Sequence, residues 1–368
     1  MKIIAAVSYG PSQPFSIQQL DITGPNDEEV LVKIVAAGIC HTDLVAHAGV
    51  FPIISPAVLG HEGAGVVEKI GKKVSKVKVG DHVAMSFSSC GECNSCKKNQ
   101  PAYCYFFTSL NFAGIRKDGP ILHDSKQNPI GCSFFGQSSF ASHAVAHQRN
   151  VVSVPKNIPL ELIGPLGCGI QTGFGAITRS LACELDSSVL IIGGGTVGLA
   201  AVMAAVIQKC KHIILIEPYE ARRRLALELG ATAVINPHEQ DIESEVHKIL
   251  PDGVNYALDT SGVNIVMEHV FNVLAPKAIY GFVGVPQKIE QKLPGTVMQM
   301  VPAGICFKGI IEGDSDPDRS IPELIRYYEK GQLPIDKLIR TYPFEQINEA
   351  IAANHLGDCI KPVLLISQ

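Results

Sequence analysis

A chain of 368 residues exceeds what one compact core usually supports, so two domains are expected. Hydrophobic residues make up 46% and charged residues 18%, the balance of a globular enzyme. The formal net charge of -4, with the signs interspersed and no basic run, argues against nucleic acid or anionic lipid as a partner.

The N-terminal apolar stretch 3–7 soon meets Gly10 and Pro11; it is too short for a signal-peptide core and reads as a first strand. No apolar run approaches the roughly 20 residues of a membrane span, so no membrane partner is expected and the location is read as cytoplasmic. In a reducing compartment the 11 cysteines are not a disulfide framework, and clustered ones are judged as metal ligands.

Segments 15–21, 30–37, 64–70 and 82–87 are short and rich in Val and Ile, with turn clusters such as Thr23-Gly24-Pro25-Asn26 between them. Residues 1–169 therefore read as β-rich. A lobe at 88–106 interrupts them, followed by a long Gly/Pro/Asp-rich loop at about 105–132. From 170 to 311, strand cores at 189–192, 213–217, 233–235, 254–259 and 278–283 alternate with helical patterns at 197–208, 221–229, 242–250 and 263–274. That alternation predicts a doubly wound parallel sheet. The last stretch, 312–368, carries helical 321–330 and 344–354 and a strand at 362–366, and is assigned back to the first domain. The fold class is α/β, a β-rich domain plus a cofactor domain.

In the lobe, Cys90-Gly91-Glu92-Cys93-Asn94-Ser95-Cys96 is joined by Cys104. Four thiolates suit tetrahedral Zn²⁺, and a site closed by four protein ligands is structural. Four unrelated core cysteines are a poor fit to this polar, Lys-bearing segment. A [4Fe–4S] cluster also takes four cysteines; zinc is the favoured reading.

The strand 189–192 runs into Gly193, Gly195 and Gly198 and then a helix, the context a GxGxxG needs to bind a dinucleotide. Gly193 makes the tight turn, Gly195 lets the backbone approach the pyrophosphate, and Gly198 lets helix and strand pack. The helix N-terminus offers free N–H groups to the phosphates. About twenty residues on, the next strand ends in Glu217, whose carboxylate suits ribose hydroxyls and repels a 2′-phosphate. Arg222–Arg224 stand close enough to complicate that reading, which nonetheless favours NAD over NADP.

Three further motifs, Gly38-Ile39-Cys40-His41-Thr42-Asp43, Leu59-Gly60-His61-Glu62-Gly63 and Pro165-Leu166-Gly167-Cys168-Gly169, each carry metal-ligand residue types. Singly each is weak, and spacing alone cannot join them. Taken together, in order and across nearly the whole chain, they resemble the medium-chain zinc alcohol dehydrogenases. The resemblance implies a GroES-like catalytic domain and a Rossmann domain. It implies two Zn²⁺ per chain: a structural ion on Cys90, Cys93, Cys96 and Cys104, and a catalytic ion on Cys40, His61 and Cys168 with a fourth position left for water or substrate. It places Glu62 behind the metal and makes Asp43 the partner that orients His61. It also sets His41 and Lys361 against the pyrophosphate, Thr172 near the nicotinamide, and Arg222 and Val283 along the cofactor. His41 stands where many relatives carry Arg, which predicts a weaker grip on the phosphates.

By the same resemblance Thr42 takes the alcohol proton. The His that often finishes that relay is Val45 here, and His47 is a candidate substitute, weighed evenly against a surface His with no role. Where the family lines its alcohol pocket, this sequence offers Phe51, Ser86, Phe87, Phe134 and Phe135. Apolar and aromatic walls suit a flat primary alcohol. The segments resemble most closely the aryl-alcohol and geraniol-type branches, which implies reversible NAD-linked oxidation of aromatic or allylic alcohols to aldehydes. A glutathione-dependent formaldehyde dehydrogenase or a general aliphatic alcohol dehydrogenase are alternatives, the former disfavoured by apolar Phe51. A non-catalytic nucleotide-binding protein is the alternative of another class, disfavoured because every expected ligand is present. The resemblance further implies a homodimer or homotetramer, joined at an edge strand near 278–285.

Overall fold

The structure, a computed structural model, describes residues 1–116, 118–286 and 290–366. It separates into two units, one of Met1–Cys168, Asp316–Arg326 and Ile335–Gln368, the other of Gly169–Ser315 and Tyr327–Pro334. The division near Cys168 lies one residue from the expected boundary. Residues 312–315 and 327–334, expected in the first domain, belong to the second. There Glu312 accepts hydrogen bonds from Gln171 and Thr172, and the Tyr327 ring packs 5.3 Å from that of Phe174.

The strands in chain order are β1 (Lys2–Ser8), β2 (Ser16–Ile22), β3 (Glu29–Gly38), β4 (Ala57–Val58), β5 (Glu62–Ile70) and β6 (His82–Met85). Next come β7 (Leu122–His123), β8 (Pro129–Ile130), β9 (His143–His147) and β10 (Val151–Ser153). The second unit contributes β11 (Ser188–Ile192), β12 (His212–Ile216), β13 (Ala233–Ile235), β14 (Val254–Asp259), β15 (Leu274–Phe282) and β16 (Cys306–Gly309). The chain ends on β17 (Ile339–Pro343) and β18 (Lys361–Leu365), back in the first unit.

The first unit builds a five-stranded sheet, β4-β1-β2-β7-β8, and a seven-stranded one, β10-β6-β5-β3-β18-β17 with β9 also on β3. Register in the second sheet positions the chemistry. Gly38 at the end of β3 lies opposite Glu62 on β5 and Val363 on β18, so Cys40, Glu62 and Lys361 meet at one sheet end. Gly38 is needed there, because a Cβ would lie 2.1 Å from the Glu62 carboxylate.

The region expected to be a long loop at 105–132 is more ordered than that. It holds a helix, Phe107–Phe112, and the β7–β8 hairpin. The Asp124 carboxylate closes the hairpin turn by accepting from the backbone N–H of Lys126 and Asn128, so a polar, loop-like composition supports pairing.

The second unit is one parallel sheet, β13-β12-β11-β14-β15-β16, with helices between the strands. Gly193, with φ +96°, ends β11, and the helix Thr196–Ile207 follows. A Cβ on Gly198 would sit 1.8 Å from the Gly193 carbonyl oxygen, so only glycine lets the helix start this close to the strand. The strand expected at 278–283 begins earlier, at Leu274, and is not the edge: β16, unpredicted from sequence, pairs along it and takes that place. Among the described residues no helix is long and apolar enough to cross a membrane.

Candidate metal centre and nucleotide site

Cys40 is the N-cap of the short helix His41–His47, where the chain turns out of β3. Asp43, wholly buried in the first turn of that helix, binds three groups at once. Its carboxylate accepts from the Cys40 N–H at 2.9 Å, from the Gly60 N–H at 3.1 Å and from His61 Nδ1 at 2.8 Å. One side chain thus caps the helix, holds the loop before β5 and fixes the His61 ring. The bond to Nδ1 leaves Nε2 as the free lone pair, and that buried atom has no partner.

Cys40, His61 and Cys168 offer ligand atoms that all lie within 4.8 Å of one another. Two cysteine sulfurs converging with an unpartnered, buried imidazole nitrogen fit Zn²⁺. The electrostatics agree. A hydrogen bond with Cys168, helped by His61, holds the Cys40 thiol well below its ordinary pKa against the opposing effect of burial. Burial opposes charge on His61, but the Asp43 and Cys40 charges outweigh it and raise the imidazole pKa well above its usual value. The three expected catalytic ligands are therefore brought together, although they come from widely separated parts of the chain.

Glu62 and Lys361 sit immediately behind. The Lys361 ammonium, 2% exposed, donates to both Glu62 carboxylate oxygens at 2.7 and 2.9 Å and to the Ile39 carbonyl at 2.8 Å. Burial raises the Glu62 pKa and the lysine charge works against that. Lys361, expected against a pyrophosphate, is paired inside the first unit, because β18 runs antiparallel to β3 and delivers it to the Glu62 end of the sheet.

The four lobe cysteines also converge, with ligand atoms within 4.8 Å of one another. Backbone N–H groups aim at their sulfurs: Glu92 and Cys93 donate to Cys90 Sγ, and Cys90 donates to Cys104 Sγ. Backbone N–H groups of Cys96 and Tyr105 lower the Cys93 pKa to about 6. Such a closed set of four sulfurs suits a structural Zn²⁺. None of the 11 cysteines is in a disulfide.

In the second unit, Glu217 at the end of β12 is 2% exposed. Its carboxylate accepts from the N–H of Gly194 in the glycine turn and from the N–H of Tyr219 at 2.9 Å. It thereby ties the glycine turn to the next strand. Arg222 lies over the Tyr219 ring at 4.8 Å. Thr172 is buried beside Glu312, and the Val283 N–H donates to the Asp259 carbonyl. His41 is exposed at the first position of its helix, with Thr42 half-buried beside it.

The expected pocket residues divide. Phe135 stacks on His61 at 4.4 Å between ring centroids, and Phe134 meets the same ring edge-on at 5.5 Å. Phe51 stacks on Phe112 at 4.4 Å, and Phe87 is buried against Phe107 at 5.7 Å. Ser86 is the remaining expected pocket residue. It is wholly buried, and its hydroxyl donates to the Gly167 carbonyl at 2.6 Å, steadying the turn that presents Cys168. Phe107 and Phe112 complete the aromatic cluster, Phe112 lying 5.2 Å from Phe135. Sequence reasoning missed both. The density of aromatics in Tyr105-Phe106-Phe107 and Phe112 was the available signal, obscured by treating the region as loop.

Gln137, also missed, pins this wall: its amide donates to the His61 and Ser86 carbonyls and accepts from the Gly63 N–H. The turn bends sharply enough that Phe135 takes φ +51°, an uncommon conformation for a bulky residue. His47 lies in the same unit, its Nδ1 2.7 Å from the Ser8 hydroxyl and its ring stacked on Phe15 at 4.6 Å.

Comparison with known proteins agrees with this arrangement. Residues 26–156 match the alcohol dehydrogenase GroES-like domain, and residues 196–330 match the zinc-binding dehydrogenase domain. The chain is 42% identical to a geraniol dehydrogenase of Castellaniella defragrans, over 98% of this chain and 97% of that protein. Among solved structures, an alcohol dehydrogenase zinc-binding domain protein from Burkholderia ambifaria superposes with a TM-score of 0.97 at 44% identity, covering 100% of both chains. The benzyl alcohol dehydrogenase of Acinetobacter calcoaceticus does so with a TM-score of 0.96 at 40% identity, again over 100% of both. With its GroES-like and Rossmann-type units and its cysteine–histidine centre, the chain belongs to the family of zinc-type medium-chain alcohol dehydrogenases.

Proposed function

We propose that this alcohol dehydrogenase oxidises primary aromatic or allylic alcohols to aldehydes, reversibly, with NAD and two zinc ions per chain. The observation that carries the substrate class is the aromatic wall on His61, in which Phe134, Phe135, Phe112 and Phe51 form one connected cluster of stacked, tilted and edge-on rings. A flat, conjugated alcohol gains from such a surface what a short aliphatic one cannot. Similarity to the geraniol and benzyl alcohol dehydrogenases supports the same class.

Zinc on Cys40, His61 and Cys168 would supply the Lewis acidity that makes an alcohol acidic, and NAD the hydride acceptor. The chain supplies the rest. Asp43 holds His61 in the tautomer that presents Nε2, and the Phe wall excludes water. Thr42, whose hydroxyl accepts from Cys40 Sγ at 3.8 Å, would accept the alcohol proton. Glu217 favours the ribose diol of NAD over a 2′-phosphate.

Steady-state kcat/KM over benzyl, cinnamyl, geranyl and short aliphatic alcohols, with NAD and NADP in parallel, tests the reading. Benzyl and cinnamyl or geranyl alcohols should exceed ethanol by at least about tenfold, the worth of burying a methylene or two beyond it. Preference for ethanol or for NADP would overturn it.

His47 is proposed to carry the proton onward in place of the absent relay histidine. Burial lowers its pKa below the usual value, so it is neutral and able to accept a proton at neutral pH. Activity that depends on it should fall as pH drops through that lowered pKa. Replacing His47 with Gln should remove this acid limb and slow turnover by about 10²-fold, the scale of a general base. An unchanged pH–rate profile would remove His47 from the mechanism.

The exposed edge strand β16, beside exposed Val297, Met298 and Val301, is proposed as the seam of a homodimer or of the dimers within a homotetramer.

A further inference from the structure

Two segments of the first unit run side by side, the loop before β5 and the chain that follows the Phe134–Phe135 turn. The Phe140 N–H donates to the Leu59 carbonyl at 3.0 Å, and the Ser139 N–H donates to the Gly60 carbonyl at 2.9 Å. The next carbonyl in that series belongs to His61. The backbone opposite does not reach it, because the N–H groups of Ser138 and Gln137 both turn back to the Phe134 carbonyl, at 3.0 and 3.1 Å. That reversal folds Phe134 and Phe135 onto the His61 ring. It also sets Ser133, Phe135, Gly136 and Ser138 at φ between +51° and +65°. Non-glycine backbone persists in that region only where its surroundings over-determine it.

The Gln137 side chain takes over where the backbone turns away. Its amide, 2% exposed, donates to the His61 carbonyl at 2.9 Å and to the Ser86 carbonyl at 3.3 Å, and it accepts from the Gly63 N–H at 3.1 Å. Gly63 permits this approach, since a Cβ there would lie 2.7 Å from that of Ser139. Ser86 extends the link, its hydroxyl donating to the Gly167 carbonyl beside Cys168. Asp43 fixes the ring of His61, and Gln137 fixes its backbone. An apolar residue of the same size would take a hydrogen bond away from each of these buried groups.

We propose that Gln137 is a positioning residue for the metal centre, setting the backbone of His61 and, through Ser86, the turn that presents Cys168. The role rests on Cys40, His61 and Cys168 being the ligands of the catalytic ion.

The full-length enzyme, stripped of that ion and reloaded with Co²⁺, gives the readout, because the thiolate charge-transfer and d–d bands of Co²⁺ follow ligand geometry. The part of the spectrum missing from His61→Ala belongs to this centre. Gln137→Met keeps the volume and removes the three hydrogen bonds. Its bands should shift, and it should hold Co²⁺ about 10–100-fold more weakly in competition with the chelator dipicolinate, the scale on which the partners of metal ligands act. Gln137→Asn keeps an amide one methylene shorter and should fall between that variant and the parent; it carries the same test if the Met variant does not fold. Ser138→Ala is the control. That residue is buried in the same turn, but its hydroxyl donates to the Val58 carbonyl and accepts from the Phe134 N–H, away from His61 and Ser86. Its melting temperature should fall while its cobalt bands and affinity stay those of the parent. Parent-like bands and affinity in the Gln137 variants, or an equal change in Ser138→Ala, would overturn the role. A parent whose spectrum matches that of His61→Ala would overturn the ligand assignment, and the role with it.

Discussion

A His61→Ala variant is expected to oxidise benzyl alcohol at least about 10³-fold more slowly than the parent, since Lewis-acid stabilisation is worth several kcal/mol at the transition state. It should also carry one zinc ion fewer than the parent. NADH absorbance and zinc content by atomic emission read the two consequences separately. The geometry behind this is the unpartnered, buried Nε2 between two cysteine sulfurs, a position with no other evident role. Asp43→Asn should have a smaller effect of the same kind, about 10–100-fold on activity or zinc affinity. The carboxylate accepts from Cys40, Gly60 and His61 together, and an amide has a single oxygen to offer them. A His61→Ala enzyme with the zinc content and the rate of the parent would dissolve the assignment of this centre.

The parts of the molecule that could be read from sequence are those where local chemistry and fold depend on the same few residues. The glycine turn is one. Gly193 and Gly198 answer backbone requirements visible as a pattern, a left-handed φ and an approach of 1.8 Å to a carbonyl that any Cβ would block. The lobe cysteines are another, because all four ligands lie within fifteen residues of chain. The three ligands of the other centre could be paired only through resemblance. Their convergence depends on β3, β5 and the turn before Cys168 reaching one sheet end, and no spacing encodes that.

Where the reading fell short, the cause was tertiary. Nothing in the spacing around Ser86 shows the Gly167 carbonyl that its hydroxyl donates to. The strand β16 has only four residues, Cys306–Gly309, too few for periodicity to show, and it exists because β15 offers it an edge. The helix Phe107–Phe112 and the β7–β8 hairpin were hidden by composition, since the same Asp and Asn residues that suggest loop also close the turn.

Lys361 is the residue for which sequence and structure give the most different expectations, and its replacement should decide between them. If its ammonium serves chiefly a cofactor phosphate, Lys361→Met should raise the KM for NAD and leave the fold intact. The buried pair implies another result. Removing the lysine takes from the Glu62 carboxylate, 0% exposed, the ammonium that both its oxygens accept from, and breaking a buried pair costs about 3–5 kcal/mol. In thermal unfolding that corresponds to a fall of about 10 °C for a unit of this size. Part of the loss should be relieved by protonation, because burial already raises the Glu62 pKa and the lysine that opposed this is gone. Adding Glu62→Gln to Lys361→Met should therefore recover most of the stability, since the amide carries no charge to strand. A single variant as stable as the parent, or a double variant no better than the single, would show that the pair does not hold this end of the sheet together.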